Sequence, residues 1–292
     1  MMFRKTFPLF LTLSLLSILP LTTAQAQTAS LTAPQIVEKN IAARGGLQAW
    51  RGLQTMTWTG KMDAGAGDSA ARSRRAALAP SSSTNHAVMN APEGKTEQVE
   101  LPFTLYMKRG RKSRIELEFA GKKPVQVYDG TNGWKYRPFL NREDVEPFTN
   151  DELKSEAQKS DLDGPLVDYA TKGTKVESAG VEKVEGHDCY KLKLTLKDGQ
   201  VRNVWVDGKS FMERKLDGEP RKIDGRMHSV SIYVRDFKKQ GAVSVASVLE
   251  TQVEGVNAKP HKLMVETVAL NEAMGDALFA KPQLPSGTPG RK

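Results

Sequence analysis

"VEGHDCYKLKLTLKDGQVRNVWVD", Val184 to Asp207, is the stretch that decides the fold. Tyr190, Leu192, Leu194 and Leu196 alternate with Lys191, Lys193, Thr195 and Lys197. Successive side chains of a strand point to opposite faces, so this alternation predicts a strand with one dry and one wet face. Just downstream, "VRNVWVDGKSFMERKL" reads as a hairpin about Asp207 and Gly208. The same period recurs farther out, where Ile115, Leu117 and Phe119 alternate with Arg114, Glu116 and Glu118. "VQVYDGTNGWKYRP", Val125 to Pro138, adds two short strands around the tight-turn pairs Asp129-Gly130 and Asn132-Gly133. "LQTMTWTGKM", "LPFTLYMKRG", "MHSVSIYVRDFKK", "AVSVASVLETQVEG" and "HKLMVETVALN" supply further strands. Short strands joined by Gly-containing turns predict a mainly β protein, a large antiparallel sheet that is strongly curved or nearly closed.

Helices interrupt this pattern at few places. In "TAPQIVEKNIAARGG" Thr32 can cap, Pro34 fits the first turn, and Gly45-Gly46 end the helix. A short turn, "LQAW", follows. Between Pro138 and Thr174 the strand period stops. Thr149 and Glu152 form a capping box there, with Phe148 and Leu153 at the staple positions. "DGPLVDYATKG" predicts a second helix, with Pro165 in its first turn and Gly173 as its stop. Such a helical pair is expected to lie as a lid across an open mouth or face of the sheet. "NEAMGDALFAKP" ends the domain in a small helical turn, and a disordered tail is expected over 285–292.

The first 26 residues have the character of a cleavable leader. Arg4 and Lys5 are followed by the apolar run Phe7 to Leu21, and "AQA", Ala24 to Ala26, suits a cleavage site. Pro20 and the shortness of the run argue against an uncleaved anchor. A soluble, exported periplasmic product is expected, with a single domain over 27–284. Within it, 63–97 is rich in Ala, Ser, Gly and Pro and reads as a flexible insertion. Cys189 is the only cysteine, so no internal disulfide forms. Of the 43 basic residues Arg4 and Lys5 fall in the leader; the rest, set against 34 acidic residues, leave a net charge of +7. These charges are interleaved along strands, which marks solvated faces and not a nucleic-acid footprint.

A search for chemistry finds little. His86, His187, His228 and His261 are not spaced as metal pairs, and His187 to Cys189 would straddle both faces of a strand. Ser69, in "GDSA", lies in the low-complexity stretch and lacks the rigid elbow and histidine partner of a nucleophile. There is no G-x-S-x-G, no phosphate-binding G-x-x-x-x-G-K and no dinucleotide fingerprint after a strand. The expectation is a protein that is not an enzyme and works without a cofactor or metal.

Three segments taken in order, "RKSRIELEFAGKKPVQVYDGTNGWKYRP", "DELKSEAQKSDLDGPLVDY" and "VEGHDCYKLKLTLKDGQVRNVWVD", resemble the LolA-like outer-membrane lipoprotein-sorting family. "IVEKNIAARGG" and "NEAMGDALFAKP" are similar to its ends, so the resemblance covers most of Pro34 to Pro282. It implies a curved, incompletely closed antiparallel β-barrel capped by helices, around an apolar cavity that in the best-known members accepts lipoprotein acyl chains. The 63–97 insertion is longer than the family pattern, and Gly110 stands where a proline is expected. No arginine here aligns uniquely with the functional arginine of those carriers. The candidate cavity and lid residues are Trp58, Leu105, Leu117, Phe119, Val127, Trp134, Phe148, Leu153, Leu166, Tyr169, Leu192 and Leu194, with Val125, Val127 and Trp134 expected on the concave face. The implied partners are a lipid or lipidated protein, with membrane-bound donor and acceptor proteins and no nucleic acid. The alternative is an envelope-stress or lipid sensor on the same fold, regulating a partner protein. An enzyme with dispersed residues and a structural protein with a filled barrel are the remaining readings.

Overall fold

In the computed structural model, residues 31–64, 99–138, 144–223 and 225–283 are described. The predicted leader, nearly all of the predicted 63–97 insertion and the predicted 285–292 tail fall outside them. Asp63, assigned to that insertion, instead lies in a strand, buried, and its carboxylate accepts from the Lys262 backbone N–H at 3.1 Å.

The chain opens with α1 (Ala33–Ala43) and α2 (Leu47–Arg51), then runs through β1 (Thr55–Ala64), β2 (Val99–Lys108), β3 (Lys112–Leu117), β4 (Val125–Tyr128), β5 (Gly133–Tyr136) and β6 (Val145–Pro147). Helix α3 (Asn150–Lys159) precedes β7 (Lys175–Val184), β8 (His187–Thr195), β9 (Val201–Asp207) and β10 (Glu213–Asp217). The small hairpin of β11 (Arg221–Ile223) and β12 (Arg226–His228) leads into β13 (Val230–Gln240), β14 (Val243–Val253) and β15 (His261–Leu270), and a 3-10 turn follows at Asp276–Phe279.

Thirteen strands form one sheet in the order β6-β5-β4-β3-β2-β1-β15-β14-β13-β10-β9-β8-β7, so the chain's first strands meet its last at the β1–β15 seam. The sheet is open, with β6 and β7 as its edges. Exposed edges invite pairing with other chains, and both are blunted. β6 has three residues, one of them Pro147, and β7 is bulged between Ser178 and Val181 and rich in lysine and glutamate. Cross-strand pairs fix which side chains share a face. Met56, Met107 and Ser113 form one row, and Trp58, Leu105, Ile115 and Val268 the next, all on the face that carries the helices. Leu192 pairs with Val204 on a neighbouring part of the sheet, and both are buried, as is Leu194.

Two of the expected helices form as read. Thr32 caps α1 in a capping box with Gln35, and Thr149 and Glu152 make the reciprocal pair at the start of α3. Ile36 and Val37 bury the inner stripe of α1, and Asn40 anchors it by donating to the Phe211 carbonyl at 2.8 Å. The α1–α2 joint then presses against the β13–β14 turn. Gly45 has φ of +113°, and a Cβ there would lie 2.1 Å from the Ala242 carbonyl oxygen, so only glycine fits.

The helix expected over "DGPLVDYATKG" does not form. Residues 161–174 run as a chain of turns. Asp168 sits at φ 51°, with Gly164 and Gly173 also at positive φ, and a right-handed helix cannot pass through such positions. The segment instead trades helical hydrogen bonds for burial: Leu162, Leu166 and Val167 are all buried.

Candidate functional site

Residues 160–174 form a strap over the helix-bearing face, the one the sequence-based expectation takes as concave. Val167 and Leu162 enter a cluster with Trp50, Leu53, Met56, Met107, Val243 and Val245, with Trp58, Leu105, Val268 and Leu270 packed around it. Burying such side chains contributes roughly 25 cal/mol per Å² of apolar surface removed from water.

The strap is held at its acidic residues. The Arg109 guanidinium grips Asp163 through two bonds of 2.8 and 2.9 Å, and it also donates to the Leu53 and Trp50 carbonyls at 2.8 Å each. The Asp163 side chain is 3% exposed, so this pair is shielded from water on one side. The Asp163 bond holds Arg109 above the usual guanidinium range. Arg44, stacked 4.1 Å above the Trp50 ring, donates to the Asp163 backbone carbonyl and to Glu213, both at 3.2 Å. At the surface Arg51 makes a two-bond pair with Asp168, whose carboxyl it holds below its ordinary range. Lys172 bridges Asp161 at 2.7 Å and the Gly164 carbonyl at 2.8 Å.

Helix α3 is attached differently. It buries no residue fully. Lys135 of β5 meets Glu152 at 2.5 Å, and Glu156 accepts from Ser113 of β3 at 2.9 Å, with Ser160 donating to both Ser113 and Glu156. Burial works to raise the Glu152 pKa, but the Lys135 bond and the Thr149 N–H outweigh it and the carboxyl is held below its ordinary range. A polar seam therefore fastens this helix. Phe148, just before it, lies over Gly133, where a Cβ would come within 1.9 Å of the ring.

The sequence-derived candidates divide between the two faces. Trp58, Leu105 and Leu117 share the concave face, and Leu192 and Leu194 are fully buried in register with β9. Leu166 is fully buried in the strap, while Tyr169, Phe148 and Leu153 are half-buried. Phe119 lies beyond the end of β3 in an isolated bridge to Lys122. Val125, Val127 and Trp134 are on the opposite face, which corrects the expectation. Val127 pairs with Arg114 and Trp134, and Arg114 with Tyr106, a row one residue out of step with Ser113 and Met107. A shift of one residue along a strand exchanges the faces. Val125 and Val127 are buried there because the C-terminal segment covers them: Phe279, 1% exposed, packs with Tyr106 and Tyr136.

The outer face also carries Cys189, packed with Val184 and Trp205, and His187 lies 3.3 Å from Asp207. Burial works to raise the Asp207 pKa, but bonds from the Ser210 and Lys209 N–H groups and from Arg214 hold its carboxyl far below the usual range. Asp207 is thus the anchor of the β9–β10 turn. A cavity of about 330 Å³ opens between β14 and β15, and none of the sequence-derived candidates lines it.

The fold is LolA-like. The LolA superfamily protein of Nitrosomonas europaea superposes with a TM-score of 0.53 at 14% identity, over 86% of this chain and 99% of that one. A DUF1329 family protein from Desulfovibrio piger gives 0.52 at 14% identity, over 85% and 97%. A putative outer membrane lipoprotein-sorting protein domain from Vibrio parahaemolyticus gives 0.49 at 12% identity, over 84% and 95%. No protein-family model matches the sequence, and no curated protein matches it. Among the described residues of this LolA-like chain, no helix is long and apolar enough to cross a membrane.

Arg44, Arg51, Arg109 and the strap aspartates were not legible as site residues, because paired charges in a single sequence resemble solvated surface. The acidic run "SDLDGPLVD", three aspartates beside buried aliphatics, was the available signal.

Proposed function

We propose that this chain is a periplasmic, non-enzymatic carrier that shelters the acyl chain of a lipid or lipidated protein between the concave face and the strap, within outer-membrane lipoprotein sorting. The observation that carries this reading is the way the apolar face is covered. Its cover is a segment of turns pinned by the Arg109–Asp163 and Arg51–Asp168 pairs and braced within itself by Lys172–Asp161, and it contributes no strand to the sheet. Such a cover can lift without breaking a ladder, exposing Trp58, Leu105 and Val167 to a chain for which each buried methylene is worth about 0.8 kcal/mol. Membrane-bound donor and acceptor proteins would supply and collect the cargo, and no bond is made or broken.

The test is the rate at which a fluorescent fatty acid enters the purified protein. Arg51 pairs with Asp168 at the surface, where solvent screening leaves an ion pair only a small net effect. Arg51→Ala is expected to speed uptake severalfold while leaving global stability almost unchanged. Uptake as slow as in the parent protein would show that the strap does not gate the site.

A further inference from the structure

Antiparallel neighbours normally bond along their whole shared length, because unpaired strand edges leave donors and acceptors without partners. β14 and β15 do not. They pair only where Val248 to Thr251 faces His261 to Met264. Beyond that point β13 is the only strand with which Val243 to Ala246 pair among the described residues, and Val265 to Leu270 follow β1, whose register shifts between Thr59 and Gly60. The strands part at the Val248–Met264 pair, and the α1–α2 joint fills the wide end: the Ser244 N–H donates to the Arg44 carbonyl at 2.9 Å. The result is a wedge-shaped split inside the sheet.

The 330 Å³ cavity occupies this wedge. It is of the size at the lower end of small-ligand pockets. Its floor is apolar, with Val245 and Val265 buried, and Val245 and Val268 both belong to the cluster that the strap's Val167 enters. Its rim is polar. Lys238 and Gln240 stand on β13, and Glu266, on the β15 side, is drawn toward Lys61 at 3.9 Å. Among the described residues Lys238 faces no carboxylate within ion-pairing distance, although Lys61, Lys135, Lys172 and Lys191 all do. An apolar floor that continues into the core, with one unpaired ammonium at its rim, matches a single tail with a negative head.

We propose that the β14–β15 split binds a single-chain amphiphile with an anionic head, of which a fatty acid is the simplest, with the head at Lys238 and the chain running over Val245 and Val268 toward the strap. This rests on the acyl-carrier reading and assigns within it a site and a head-group class.

The experiment titrates the full mature chain with a polyene fatty acid that fluoresces on burial, and with the corresponding fatty alcohol. Lys238→Glu is expected to weaken the acid about tenfold, the order of one charge-assisted bond, and to leave the alcohol unchanged. Thr267→Trp, at an exposed position lining the cavity, is expected to weaken both. Thermal melting confirms that each variant is folded, and Ala246→Trp repeats the blocking test from the β14 side. If the parent chain binds and these variants bind equally well, the split is not the site, while the carrier reading stands. If Lys238→Glu weakens acid and alcohol alike, the head is not at Lys238 and the proposal is overturned. If the parent chain binds neither probe, the proposal and the carrier reading fall together.

Discussion

At the scale of single residues, the decisive pair is Arg109 with Asp163. A buried ion pair gives little net stability against an apolar alternative, but removing one partner is costly because the other charge is stranded. Asp163 is the more deeply buried member, and Arg109 retains some access to water and two backbone carbonyl partners, Leu53 and Trp50. Asp163→Ala should therefore cost about 3 kcal/mol, at the low end of the range for broken buried pairs. Urea denaturation measures this, and a double-mutant cycle with Arg109→Met should recover part of the loss. A cost below that of an ordinary surface substitution would mean that the strap is not held there.

At the scale of elements, α3 and the C-terminal turn cover opposite faces by different means. α3 depends on Glu152, whose folded pKa lies below its ordinary value. A depressed carboxyl contributes stability that is present above the unfolded pKa of about 4.3 and is lost as pH falls through the folded value. The protection of amides in residues 150–159, measured as exchange relative to the intrinsic rate at each pH, should accordingly fall selectively on acidification below that point, and Lys135→Met should lower it already at neutral pH. Protection insensitive to both would place the helix's anchorage elsewhere. The C-terminal turn instead inserts Phe279 between Val125, Val127 and Tyr136. Phe279→Ala should cost about 3–5 kcal/mol by leaving a cavity. It should leave fatty-acid uptake unchanged, since this face is not the concave one; lost uptake in a folded variant would contradict that assignment.

At the scale of the whole molecule, the sheet was legible and its faces only partly so. Tyr190 to Thr195 announced both strand and face, because lysines alternate with leucines and only one side can be dry. Val125, Val127 and Trp134 announced the strand alone. Both faces are covered there, one by α3 and the other by Phe279, a residue distant in sequence, so apolar content did not say which was inner. The strap failed as a helix because its course is set by tertiary ion pairs and by Asp168 at positive φ, neither of which has a local signature. The β14–β15 split is less visible still: both strands read as continuous, and the α1–α2 joint that parts them lies about two hundred residues earlier.

Whether the covered helix-bearing face holds an acyl chain is read by mass spectrometry of lipid carried by the protein after expression in a bacterial host and purification without detergent. Acyl lipid approaching one molecule per chain is expected, displaced when excess fatty acid is added. A chain that emerges free of lipid and takes up none when it is offered would show that strap and sheet form a filled core, and would contradict the carrier function.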